Sequence, residues 1–93
     1  MAISFSARLV VPAHVLLQRV GEEAVLLNLE NELYFGLDPV GMRMWEALSK
    51  SRTLEGAYQE LLGVYEVDDA RLRKDLEALV AKLVENGLVQ TEE

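Results

Sequence analysis

The chain has 93 residues, 51% of them apolar, with no cysteine, one histidine and a formal net charge of −7. Such a length suits one small domain that buries roughly 60–65% of its unfolded surface, which leaves little material for a catalytic cleft. The absence of cysteine excludes a disulfide framework, a thiolate zinc site and a cysteine nucleophile, while 16 acidic residues against 9 basic ones disfavour a phosphate backbone as partner.

Residues 3–11 alternate. Ile3, Phe5, Ala7, Leu9 and Val11 fall on one side, and Ser4, Ser6 and Arg8 on the other, which predicts an extended N-terminal segment closed by Pro12. His14 to Val20 reads as a short strand, and Gly21-Glu22-Glu23 as a turn. Ala24 to Glu30 is a second strand, with Val25, Leu27 and Leu29 on one face and Leu26, Asn28 and Glu30 on the other. Asn31-Glu32 is a polar break before Leu33-Tyr34-Phe35 and Gly36, so residues 14–36 read as a three-stranded antiparallel meander.

Helical signals follow. Asp38-Pro39 supplies an N-cap and a proline at the first helical position, ahead of a stripe of Val40, Met44 and Leu48 widened by Trp45. Thr53 caps a second helix whose apolar face is Leu54, Ala57, Tyr58, Leu61, Leu62 and Tyr65. Asp68 caps a third, running to Asn86 with Leu72, Leu76, Leu79, Val80 and Leu83 inward. Gly87 stands where a left-handed residue ends such a helix, before a short extended tail of Leu88 and Val89.

The expectation is an α+β fold of the winged helix-turn-helix type in a single domain, residues 1–93. Residues 1–13 form its extended segment, 14–36 its sheet and 38–87 its helices. In such a meander Leu33–Phe35 lies at one side of the sheet, with unpaired backbone groups. Either the N-terminal segment or the helices cover that edge, or a partner peptide adds a strand to it.

No apolar run approaches the ~18 residues of a membrane span, and the N-terminus lacks a secretory pattern, so a soluble cytoplasmic protein is expected. The paired carboxylates Glu22/Glu23 and Asp68/Asp69 sit on turns or caps and do not converge in a cleft. A phosphate loop, a nucleophile elbow and metal-ligand spacing are all missing from the sequence. Trp45 reads as core and His14 as a strand-edge residue without chemistry. Neither an enzyme nor a cofactor is expected.

The stretch from Val25 to Leu48, VLLNLENELYFGLDPVGMRMWEAL, resembles the PqqD-like family, the RiPP precursor peptide recognition elements. It is most similar to the stand-alone members that serve lasso peptide biosynthesis. The likeness lies in the VLLNLE strand, Tyr34-Phe35 before Gly36, the Leu37-Asp38 helix entry and Val40-Gly41 leading to Trp45 and Leu48. The order of elements through VENGLVQ extends it over nearly the whole chain.

What the resemblance implies is a non-catalytic protein that captures the leader region of a ribosomally made precursor peptide. Its implied partners are that leader, a leader peptidase and, as a further candidate, a cyclase of the same pathway; nucleic acid and membrane are not among them. The leader docks as an added strand on Leu33-Tyr34-Phe35, in a groove whose other wall is the third helix over residues 72–80. A chaperone of pyrroloquinoline quinone synthesis ranks second.

Within that frame, the backbone of Glu32, Leu33, Tyr34 and Phe35 supplies pairing, and pockets between strand and helix supply sequence choice. Tyr34 and Phe35 read either as ordinary sheet packing or, for at least one of them, as groove lining. Leu72, Leu76 and Leu79 share a stripe that must be mostly core, with its shoulder and Asp75 at the sheet edge. Asp75 is a leader ligand or a solvated carboxylate. Arg71, Arg73 and Lys74 meet acidic leader residues or neutralise Glu66, Asp68 and Asp69. A winged-helix DNA-binding role competes on fold analogy alone. Against it, Arg71, Arg73, Lys74 and Lys82 on the third helix are offset by Asp69, Asp75, Glu77 and Glu85. An adaptor or dimerisation domain is the remaining class.

Overall fold

Period-two alternation in the first third of the chain and helical periodicity in the rest set the order of elements in the computed structural model, which describes residues 4–51, 53–64 and 68–92. Strand β1 (Arg8–Val10) precedes β2 (Val15–Val20), β3 (Glu23–Asn28) and β4 (Leu33–Leu37). Helices α1 (Pro39–Lys50), α2 (Leu54–Val64) and α3 (Asp69–Glu85) follow, and β5 (Gln90–Glu92) comes last. The α+β arrangement of a three-stranded antiparallel sheet followed by three helices is as expected.

The sheet runs β2-β3-β4, with Leu17 opposite Leu26 and Leu26 opposite Phe35. Gly21, at φ +65°, makes the tight first turn. Alternation sends Val15, Ala24, Leu26 and Leu37 into the core. The predicted second strand is shorter than expected: it stops at Asn28, and the link to β4 takes Leu29–Glu32 rather than Asn31-Glu32 alone. The Asn28 side chain is the cause. Its Oδ1 accepts the Glu30 N–H at 3.0 Å and turns the chain out of the ladder. Its Nδ2 donates to the carbonyls of Asn86 (3.3 Å) and Gly87 (3.2 Å) at the end of α3. Asn28 is 2% exposed, so this amide both closes a turn and fastens a helix end to the sheet.

The N-terminal segment departs from a continuous strand. Its ladder is only β1, which pairs antiparallel with β5 (Arg8↔Glu92, Leu9↔Thr91, Val10↔Gln90) in a second, two-stranded sheet. Ahead of it, the Phe5 carbonyl accepts the Glu55 N–H at 2.8 Å and the Ala7 carbonyl accepts the Leu54 N–H at 3.1 Å. These are donors that the first turn of α2 leaves without intrahelical partners. Phe5 and Ala7 are buried as the alternation requires, whereas Val11 is exposed and Ile3 lies outside the described residues.

All three helix starts fall where the capping residues put them. The Asp38 carboxylate accepts the Gly41 N–H at 2.7 Å, and Thr53 Oγ1 accepts the Gly56 N–H at 3.1 Å. Asp68 holds the cap position of α3 but its side chain makes no capping bond; its backbone carbonyl accepts the Leu72 N–H as the first intrahelical bond, as those of Asp38 and Thr53 do in their helices. At the far end Gly87 adopts φ +70°, with Gly87 N–H bonded to Val84 O and Leu88 N–H to Leu83 O. Val40 is a correction: it is 51% exposed, and Met42 takes the inward place at the start of α1. The helix is clasped on two sides, and Val40 lies at the margin of the buried arc in the terminal turn. Tyr65 of the predicted α2 face lies outside the described residues.

The core divides into two clusters, and α3 spans both. Leu72, Leu76 and Val80 pack with Met44, Leu48, Leu54, Leu61 and Phe5 on the helical side. Leu83, with Leu88 and Val89 beyond the helix, packs with Leu26, Leu37, Met42 and Trp45 under the sheet. Leu79 and Val84 touch both. α3 therefore belongs to the helical bundle from Leu72 to Val80 and passes under the sheet at its C-terminal end, at Leu83, where Asn28 holds it.

Candidate functional site: a free strand edge and the groove beside it

Strand β4 pairs with β3 on one side only; among the described residues no strand occupies its other edge. Along an antiparallel edge, backbone N–H and C=O groups alternate between the existing partner and open space, so β4 is a template for an added strand. Between this edge and α3 lies an open groove of about 320 Å³. Phe35, Gly36 and Leu37 form the strand wall, Ala78, Leu79 and Lys82 the helix wall, and Asp38 with Gly41 the end. A Cβ at Gly41 would stand 3.2 Å from Asp38 Oδ1 and 3.4 Å from Leu37 Cδ2, so the first turn of α1 packs closely on the strand end there.

Of the candidates read from the sequence, the groove brings together Phe35 and Leu79. Phe35 is half-buried on the inner face, while Tyr34, one residue back, points to the outer face and is 75% exposed. Leu33 starts the edge strand. Glu32 adopts φ 60°, and its N–H is spent on the Asn28 carbonyl at 2.8 Å, so it closes the turn rather than extending the edge. Leu72 and Leu76 are core side chains of the helical cluster and do not line the groove. Asp75 is exposed on α3, where its carboxylate lies 3.9 Å from Arg71.

The basic trio does not form one patch. Arg71 faces Asp75, whereas Arg73 lies 3.9 Å over the Phe5 ring and 3.5 Å from the Glu55 carboxylate. That guanidinium, with Phe5 and Tyr58 packed edge to face at 5.9 Å, secures the N-terminal segment on α2 and α3. Lys74 is exposed. The expected neutralisation of Glu66, Asp68 and Asp69 takes other partners, Asp75 and Glu55, and Glu66 lies outside the described residues.

Sequence reasoning put the helix wall on residues 72–80, a range that takes in Ala78 without naming it and stops short of Lys82. Their signal was present as spacing, since Asp75, Leu79 and Lys82 recur along one helical face. What periodicity did not carry was which half of α3 meets the sheet. Elsewhere, Trp45 is core, and His14 Nδ1 sits 3.4 Å from the Glu30 carboxylate beside the β3–β4 turn. Among the described residues there is no cluster of three or more potential metal ligands, and no helix is long and apolar enough to cross a membrane.

No curated protein matches the chain. The solved structure of TbiB1 in complex with the TbiA(beta) leader peptide superposes with a TM-score of 0.80 at 30% identity, covering 87% of this chain and 94% of that one. Residues 23–89, from β3 to the last residue before β5, match the family described as coenzyme PQQ synthesis protein D. The chain belongs to the PqqD family.

Proposed function

We propose that this protein captures the leader region of a ribosomally made precursor peptide, of the lasso class, as a fourth strand on β4, and presents it to a leader peptidase and a cyclase without itself catalysing a step. The observation that carries the reading is the unpaired β4 edge running beside an apolar-walled groove, in a chain 30% identical to a protein solved with a leader peptide bound. Main-chain bonds along β4 supply sequence-independent affinity. Alternate residues of the added strand reach the groove floor at Phe35 and Leu79, and the others lie beside Tyr34 on the outer face. The description of the family favours one second reading, a carrier in the synthesis of coenzyme PQQ. The stretch LNLENELYFGLD (Leu27–Asp38), which resembles the lasso-type members, favours the first.

The test is a fluorescence titration with three labelled ligands: the leader peptide of the precursor encoded beside this chain, the TbiA(beta) leader peptide, and duplex DNA. Saturable binding of a leader with no DNA binding supports the proposal. DNA binding without peptide binding overturns it.

A further inference from the structure

Resting on the leader-binding reading, we infer that Lys82 is a specificity-determining residue that selects an acidic side chain in the bound peptide, next to the apolar residue seated between Phe35 and Leu79. Two charged side chains line the groove, Asp38 and Lys82. The Asp38 carboxylate is committed to the Gly41 N–H at 2.7 Å. The Lys82 ammonium has no ion-pair partner among the described residues and is exposed. The chain as a whole carries −7. An acidic peptide therefore meets repulsion over most of the surface and a free cation where Lys82 stands, so the lysine fixes where along the groove an acidic residue is tolerated.

The fold also fixes which end of the edge it serves. Asn28 is cross-strand to Leu33 and is bonded to Asn86 and Gly87, so the C-terminal end of α3 lies at the Leu33 end of β4. Moving back along α3 from Asn86 toward Ala78 follows β4 from Leu33 toward Asp38. Lys82 thus faces the middle of the edge beside Phe35, one helical turn from Leu79, within reach of a side chain adjacent to the apolar anchor. Specificity of this kind is a difference in affinity between peptides, with repulsion of the wrong charge as part of it.

The test pans a display library of random extended peptides on the full chain and on Lys82→Glu, Lys82→Arg and Lys74→Glu variants, each checked for native circular dichroism. The wild type and the Lys82→Arg and Lys74→Glu variants are expected to enrich Asp or Glu at one fixed spacing from an apolar residue. The Lys82→Glu variant is expected to lose that preference and enrich Lys or Arg there. For a single peptide carrying the acidic residue, Lys82→Glu weakens binding about fivefold or more, the upper range of an exposed ion pair. Pools that bind but show the same charge preference in wild type and Lys82→Glu overturn the assignment to Lys82 and leave leader binding standing. A wild-type chain that enriches no peptide overturns leader binding, and the assignment with it.

Discussion

Replacing Asn28 probes the joint on which the groove depends. The Asn28→Ala variant deletes one accepted bond at 3.0 Å and two donated bonds at 3.2 and 3.3 Å, at a side chain 2% exposed. At roughly 0.5–1.5 kcal/mol net per bond, with the stranded Glu30 N–H and α3 carbonyls partly rehydrated, the loss is about 2–4 kcal/mol. For a domain of this size that lowers Tm by about 10–25 °C. Asn28→Asp keeps the shape but turns a donor into an acceptor facing two carbonyl oxygens at the negative end of α3. Its ionised form is disfavoured in the folded state, so the folded pKa of the new carboxyl lies above the unfolded value of about 3.9. The penalty is fully present above the folded pKa and disappears as pH falls through the folded value toward the unfolded one. Urea melts followed by circular dichroism from pH 7 to pH 3.5, each referenced to wild type at the same pH, read both effects. Asn28→Asp should be less stable than Asn28→Ala at pH 7, and its deficit against wild type should shrink on acidification. A deficit under about 0.5 kcal/mol for Asn28→Ala, or an Asn28→Asp deficit flat with pH, refutes the role and orientation given to this amide.

Three further outcomes are expected. Gly87→Ala forces a Cβ into a residue at φ +70°, 3.1 Å from Asn28 Nδ2, and should cost about 1–2 kcal/mol or more in thermal denaturation; a neutral substitution contradicts the left-handed end of α3. Leu76→Ala, at a side chain 0% exposed in the helical cluster, should cost about 2–5 kcal/mol in urea while peptide affinity measured under folding conditions stays within twofold. Proline scanning of the edge with Tyr34→Pro and Phe35→Pro removes successive N–H donors, which alternate between β3 and the free edge. The variant whose lost N–H faces the free edge should keep native circular dichroism and lose leader binding in fluorescence titration; unchanged affinity in both variants, each folded, refutes strand addition at β4.

Local chemistry made much of this fold legible. Asp38-Pro39, Thr53 and Gly87 each act through bonds to residues within a few positions, so capping and chain reversal could be read directly from them. The pairing of β1 with β5 could not, because two three-residue strands 80 or more positions apart carry no local sign of one another. The site divides in the same way. The edge strand and the Phe35/Tyr34 split follow from alternation, whereas a helix wall placed on residues 72–80 rather than on Ala78, Leu79 and Lys82 reflects what helical periodicity omits. It gives the apolar face of α3, but the handover of that face from bundle to sheet is set by Asn28, a polar residue in an apolar strand, through bonds to residues almost 60 positions away.

The antiparallel contact of β1 with β5, closed by the Arg8–Glu92 ion pair at 3.3 Å, sets Arg8 beside Glu92. Neither of those strands pairs with β4. A partner domain fused after β5 therefore leaves from the β1–β5 seam and keeps the β4 edge open to a peptide.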